Sequence, residues 1–435
     1  MKADTSFPTL DLAQVDAAFF NLDEVLLRSD RTLDPVFQEL RQRTLASAAT
    51  LARELQRCHI KTAIVTASTD GSEMLSAPSL SVAFDKQVTG VRKGFVQAAQ
   101  LLKASPERTA IFDSTQAGVK AARAGQFKVI VVFNHSKSPE ALQADGADVV
   151  LADLCELRIK MQNGLIKRNT ITLPSGLEPR RDVFRQIHDK SVVVFLDYDG
   201  TLTPIVARPD LAILSEHTRE TLRQLAKHCT VGVISGRDRV TVQQMVNVDS
   251  LIYAGSHGFD ISGPKNMHMQ HEIGTQFLPL LDQVEASLHE ELDSILGTLI
   301  ERKRFSVAVH YRLVGAQDLE TIRSSVEAVL SQYPDIRPIH GKKLYDLQPG
   351  IDWDKGKALT WLLEALNIPR DRVMTFFFGD DVTDEDAFRV LQNEGIGMIV
   401  EDSSRYTYAT YRLNNPEEVD QFLRHLTTSI RSPSL

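Results

Sequence analysis

The chain has 435 residues, 43% hydrophobic and 24% charged, which suits two or three soluble domains and excludes a disordered or fibrous class. Its 49 basic and 57 acidic residues leave a net charge of −8 with no basic block, arguing against nucleic-acid or membrane binding. Three scattered cysteines, Cys58, Cys155 and Cys229, exclude a disulfide framework or Cys-based zinc site, no apolar run approaches the roughly 18–20 residues of a membrane span, and a cytoplasmic location is expected.

Short apolar runs alternate with longer amphipathic segments, the rhythm of β/α units around a parallel sheet. Residues 15–21, 60–66, 109–112, 128–133 and 148–151 read as strands of a first domain, placed at 1–165, with a helix around 117–124 closed by Gly125. Turn residues (Asn163-Gly164, Pro174-Ser175-Gly176, Pro179) then gather without periodicity, so a linker is placed at 166–190. A second domain follows, with strands at 191–196, 230–234, 251–254, 373–378 and 397–400. It is interrupted. Residues 304–312 alternate as a half-buried antiparallel strand does, and 277–296 and 319–330 repeat apolar residues at helical spacing. The spacing therefore predicts an α/β core at 191–258 and 346–435, with an α+β insertion at 259–345.

The sharpest chemical signal is Asp197-Tyr198-Asp199-Gly200-Thr201-Leu202, directly after an apolar strand. Carboxylates at i and i+2 point to the same side of a strand end, where a cation such as Mg²⁺ would relieve their repulsion. An acidic turn closed by glycine is the plain alternative. Ser235-Gly236-Arg237 follows the next strand, where a hydroxyl and backbone N–H groups suit phosphoryl oxygens, though Ser-Gly is also a common turn. Lys355 opens a helix against its dipole and so wants an anionic partner, unless it is simply solvated. Gly379-Asp380-Asp381-Val382-Thr383-Asp384-Glu385 packs four acids after another strand; helix-dipole complementarity accounts for Asp384 and Glu385 better than for Asp380. Ligands of doubly wound sheets bind outside the carboxyl ends of strands, and together these groups supply what phosphoryl transfer requires.

This constellation resembles the haloacid dehalogenase superfamily. Ile234–Arg237, Gly255-Ser256-His257-Gly258, His310-Tyr311-Arg312, the 341–349 run GKKLYDLQP, the 352–359 run DWDKGKAL and the 379–388 run GDDVTDEDAF follow the order of trehalose-6-phosphate phosphatases. The resemblance implies Asp197 as nucleophile and Mg²⁺ ligand. It implies Asp199 as general acid and then base, binding metal through its carbonyl. Ser235 and Lys355 would hold the phosphoryl group, and Asp380 would complete the metal site. Glu385, His310, Arg312, Lys342 and Asp346 would face the sugar, with Arg237 and His257 as further substrate-binding candidates; structural roles stay open for His257 and His310. The insertion would be a cap over the site. The chain departs from the family at Asp346, where Glu is usual, at Gln348, usually basic, and at Ser256, usually Asn or Glu.

The first domain resembles a degenerate, β-phosphoglucomutase-like member of the same superfamily. The 19–26 run FFNLDEVL puts Asn21 at the nucleophile position and Glu24 at the turn glycine, and Ser114 stands where a second acid belongs. An amide cannot become a phosphorylated carboxylate, so this domain is expected to be non-catalytic and available to a protein partner. The expected activity is Mg²⁺-dependent hydrolysis of trehalose 6-phosphate, a small-molecule sugar phosphate. The alternatives are a phosphatase for another sugar phosphate, such as sucrose 6-phosphate, and a sugar-phosphate-sensing or partner-binding pseudoenzyme.

Overall fold

The computed structural model describes residues 7–23, 35–66, 83–89, 91–133, 138–178, 183, 187, 190–206, 208–265, 267, 269–341 and 343–431. The chain divides into two units, Met1–Leu173 with Ser403–Tyr408 and Pro174–Asp402 with Ala409–Leu435. Glu24 and Lys342, both singled out by sequence, lie outside the described residues.

Unit 1 is built on six parallel strands in the order Lys86–Thr89, Lys61–Thr66, Ala17–Asn21, Thr109–Asp113, Val129–Phe133, Val149–Leu151. Alternate residues of the central strand feed two cores, as they must in a sheet covered on both faces. Phe20 stacks on Phe112 at 4.5 Å on one face, while Phe19 meets Phe127 on the other. A small second sheet runs Thr9–Asp11, Arg158–Lys160, Ile166–Asn169, Tyr406–Thr407. This corrects the expected linker. Asn163-Gly164 is the turn of a hairpin joining Arg158–Lys160 to Ile166–Asn169, so unit 1 continues to Leu173. Residues 403–408, expected within the catalytic core, also belong to unit 1.

Unit 2 carries an eight-stranded sheet in the order Gln270–Glu272, Asp260–Ser262, Ile252–Gly255, Thr230–Ile234, Ser191–Leu196, Val373–Gly379, Gly395–Val400, Tyr411–Leu413. The last six are parallel. Ser191–Leu196 leads to neighbours on one side and Val373–Gly379 on the other, so the switch of strand order falls between them. The insertion forms a four-stranded antiparallel sheet, Leu299–Lys303, Ser306–His310, Leu344–Pro349, Ile336–Gly341, packed against helices Leu278–Leu292 and Leu319–Gln332. Its bounds differ from the expected 259–345. Asp260–Ser262 and Gln270–Glu272 extend the core sheet instead, and Leu344–Pro349 is an inner strand of the cap. Ser306–His310 is buried on both faces for most of its length, because sheet and helices enclose it.

Candidate active site

The carboxyl ends of the two central strands of unit 2 meet at the switch point. Tyr198 points into the core, fully buried, and its hydroxyl donates to the carbonyl of Ala212 at 2.8 Å. Its neighbours Asp197 and Asp199 therefore both point out of that core, as the i, i+2 spacing predicts. Gly200 turns the chain at φ +81°, and a Cβ there would lie 2.2 Å from Oδ2 of Asp380. Glycine thus serves twice: it adopts the left-handed turn and lets the neighbouring strand's carboxylate close on the loop.

Lys355 begins the helix Lys355–Ala365, and Asp354 caps that helix through the amide of Lys357 at 2.8 Å. Its Nζ, 2% exposed, donates to Oδ1 of Asp197 at 2.9 Å and to Oδ1 of Asp384 at 2.7 Å. Burial works against the ammonium, but the two carboxylates beside it raise its pKa above the ordinary lysine value. Asp197 moves the other way from a typical ion pair: burial, with Asp384 and Asp380 close by, pushes its carboxyl well above the usual range despite Lys355. One ammonium does not neutralise three buried carboxylates. Asp197, Asp380 and Asp384 each offer an oxygen within 4.8 Å of the others. That all-oxygen set, with two negative charges left over once Lys355 is counted, fits a divalent cation. Both Asp384 oxygens already serve other groups, Oδ1 taking Lys355 and Oδ2 the amides of Asp380 (3.0 Å) and Asp381 (2.9 Å). Asp384 thus orients the site, and Asp197 and Asp380 are the better placed ligands.

Arg237 grips Asp199 with two bonds, Nε to Oδ2 at 2.7 Å and Nη2 to Oδ1 at 2.6 Å, and also reaches the carbonyl of Pro209. Ser235 sits two residues before it, 1% exposed. The loop is tied to the next turn: His257 N donates to Ser235 O and Ser256 N to Arg237 O. Ser256 and His257 adopt φ +49° and +57°, a rare pair of left-handed non-glycine residues.

A cavity of about 190 Å³ opens over these groups. Of the residues expected from sequence, Asp197, Asp199, Ser235, Arg237, His257, His310, Arg312, Lys355 and Asp380 line it. Glu385 and Asp346 do not. The turn Val382–Asp384 brings Asp381 and Thr383 to the wall instead of Glu385. Asp346, 2% exposed, is enclosed by cap and core side chains. Lys343, at φ +66°, reaches the cavity. Sequence reasoning missed Glu301, Lys303 and Asp384. The first two stand two apart on one strand, and Glu301 is held by His310 Nε2 at 2.8 Å. That i, i+2 pair of opposite charge just before the alternating 304–312 run was the available signal.

A family model described as trehalose-phosphatase matches residues 195–417, just over half of the chain. A trehalose-phosphate phosphatase of Mycobacterium leprae is 33% identical over 441 residues, covering 97% of this chain and 98% of that protein. An uncharacterized glycosyl hydrolase of Mycobacterium tuberculosis is 36% identical over 403 residues, covering 88% of this chain and 30% of that protein, so the chain spans under a third of that relative's length. Among solved structures, the C-terminal domain of a C. albicans trehalose-6-phosphate phosphatase matches at TM-score 0.50 and 21% identity. The match covers 59% of this chain and 98% of that one, a likeness of fold.

Proposed function

The chain belongs to the trehalose-phosphatase family, and from that premise we propose that it hydrolyses trehalose 6-phosphate to trehalose and inorganic phosphate. The observation that carries this reading is the gathering of Asp197, Lys355, Asp380 and Asp384 where the two central strands end, beneath a cap wall that supplies Lys303, His310, Arg312 and Lys343.

Asp197 attacks phosphorus through a carboxylate oxygen, and the bond to the sugar oxygen breaks. That oxygen takes a proton from Asp199, leaving trehalose and a phosphoaspartate. Asp199 then removes a proton from water as it attacks the phosphoaspartate, which releases phosphate and restores Asp197. The Arg237 clamp holds both oxygens of Asp199 at rest; an incoming phosphoryl dianion competes for that guanidinium, which frees an Asp199 oxygen to face the leaving group. Lys355 and Ser235 bind the phosphoryl oxygens. The cation that Asp197 and Asp380 would hold, with the Asp199 carbonyl, is assigned as Mg²⁺ from the hard oxygen donors; when bound it spreads phosphoryl charge.

Unit 1 is proposed to be non-catalytic. Asn21 occupies the strand-end position taken in unit 2 by Asp197, and its Nδ2 donates to Asp113 at 2.9 Å. Phosphate release from trehalose 6-phosphate, sucrose 6-phosphate and glucose 6-phosphate, with Mg²⁺ and with EDTA, tests the whole reading. Trehalose 6-phosphate should lead, EDTA should abolish release, and Asp197→Asn should fold normally yet release at least about a thousandfold less. A preference for sucrose 6-phosphate would reassign the substrate.

A further inference from the structure

We propose that Asp346 is a positioning residue that latches the cap onto the Ser235–Arg237 loop, and that it does not touch the sugar. The inference rests on the reading of this cavity as a phosphatase site.

Asp346 lies on an inner strand of the cap sheet, and four donors converge on its carboxylate. Oδ1 accepts from Ser306 Oγ at 2.8 Å and from Lys303 Nζ at 3.3 Å. Oδ2 accepts from Gln348 Nε2 at 2.6 Å and from His257 Nε2 at 3.2 Å. Three of these donors belong to the cap; His257 belongs to the core. Lys303 crosses the same gap, because its Nζ also donates to the carbonyl of Gly236 at 3.0 Å. His257 presses on that glycine from the other side, where a Cβ would lie 2.9 Å from the ring. Gly236 is therefore held at its carbonyl and at its Cα by two side chains that Asp346 anchors. It is also the residue between Ser235 and Arg237, the groups that meet the phosphoryl and hold Asp199.

The charge pattern agrees. Despite burial, the Lys303 ammonium and the bonds from His257 and Gln348 keep the Asp346 carboxyl ionised, well below the usual carboxylate range. Burial pulls the His257 imidazole below its ordinary value, so it is neutral. A carboxylate only accepts, so Nε2 carries the proton and Nδ1 is left as a buried acceptor with no partner among the described residues. One methylene shorter than the glutamate usual at this position, Asp346 keeps its carboxylate among these four donors, with Gln348, two residues on, closing one of its oxygens.

The test compares wild type, Asp346→Asn, Asp346→Glu and Ser306→Ala as full-length chains, on trehalose 6-phosphate and on p-nitrophenyl phosphate, which has no sugar. Histidine ¹⁵N spectra, with the His257 signal identified through His257→Gln, report the tautomer. A latch predicts that Asp346→Asn lowers kcat on both substrates at least about tenfold, and that His257 loses its single Nε2–H state. Asp346→Glu should not rescue, since a longer side chain at this buried position carries its carboxylate off the four donors. Ser306→Ala, which removes one bond and keeps the charge, should lower kcat on both substrates about two- to fivefold and serves if Asp346→Asn does not fold. A rise in KM for trehalose 6-phosphate alone, with p-nitrophenyl phosphate turnover intact, would overturn the latch and restore a direct sugar contact. Wild-type rates in Asp346→Glu, or an unmoved His257 signal in Asp346→Asn, would overturn it too. Failure of wild type on both substrates would instead defeat the functional reading, with the histidine signal still reporting on the latch.

Discussion

Asp113 shows how a single buried group ties the stability of unit 1 to pH. Its Oδ2 accepts from Asn21 Nδ2, and its Oδ1 accepts from the amide and hydroxyl of Thr115 at 2.6 and 2.8 Å. Burial nevertheless dominates, and its pKa is pushed up to about 6. The sign of the pH effect follows. Between roughly pH 4, where an unfolded Asp titrates, and about pH 6, the folded unit holds a proton that the unfolded chain has released. Stability of unit 1 should fall as pH rises through that window, by up to about 3 kcal/mol for a shift of roughly two units. Asp113→Asn removes the titration and should flatten the fall, measured by urea unfolding of the full chain at pH 4, 5, 6 and 7. An unchanged slope in the variant would mean another group is responsible. In unit 2 the strand-end carboxylate of Asp197 meets the ammonium of Lys355, whereas here Asp113 meets the neutral amide of Asn21.

Gly200 is where one element's geometry decides the chemistry of its neighbour. An alanine there would have to adopt φ +81° and would drive its Cβ into Asp380. Either burden alone is of order 1–3 kcal/mol; together they displace the Asp380 carboxylate, proposed above as a metal ligand. Gly200→Ala should therefore raise the Mg²⁺ concentration needed for half-maximal phosphate release more than tenfold, read from a Mg²⁺ titration with p-nitrophenyl phosphate. An unaltered Mg²⁺ requirement would separate Asp380 from the metal. Gly200 was readable from sequence because a strand, an acid pair and a turn glycine sit in one run of residues. Elements whose meaning is non-local were not. Asp384 looked like a dipole-complementing acid at a helix start, since nothing nearby in sequence announces that Lys355 reaches it. Asp260–Ser262 and Gln270–Glu272 carry too little pattern to say which sheet they join, so the cap's bounds were misplaced. Asp346 was expected at the sugar because its position in the motif was legible, whereas the four donors that enclose it come from three separate strands and a turn.

At the scale of the whole molecule, the division into units does not follow chain order. Unit 1 takes in Ser403–Tyr408, whose flanking residues both belong to unit 2. The segment is well secured there. Tyr406 pairs with Asn169 in the small sheet, Thr170 donates its hydroxyl to the carbonyl of Ser403 at 2.6 Å, and Asn169 Nδ2 donates to Ser404 Oγ at 2.9 Å. The Tyr406 ring is 4% exposed among the apolar residues beneath the main sheet, and its hydroxyl donates to the carbonyl of Leu157 at 3.1 Å. An N-terminal fragment that ends at the unit boundary therefore lacks part of its own core, so it should be less stable than its strands alone suggest. Tyr406→Ala in the full chain isolates that contribution. Losing a buried aromatic ring and its hydrogen bond should destabilise unit 1 by about 3 kcal/mol or more. Hydrogen exchange should then quicken in the strands Ala17–Asn21 and Thr109–Asp113 while Ser191–Leu196 keeps its protection. Phosphate release should stay within about twofold of wild type, because Tyr406 belongs to unit 1 and the groups around Asp197 belong to unit 2. Loss of protection in both units together would show that they unfold as one, whereas unchanged protection in unit 1 would show that Ser403–Tyr408 decorates its core and does not complete it.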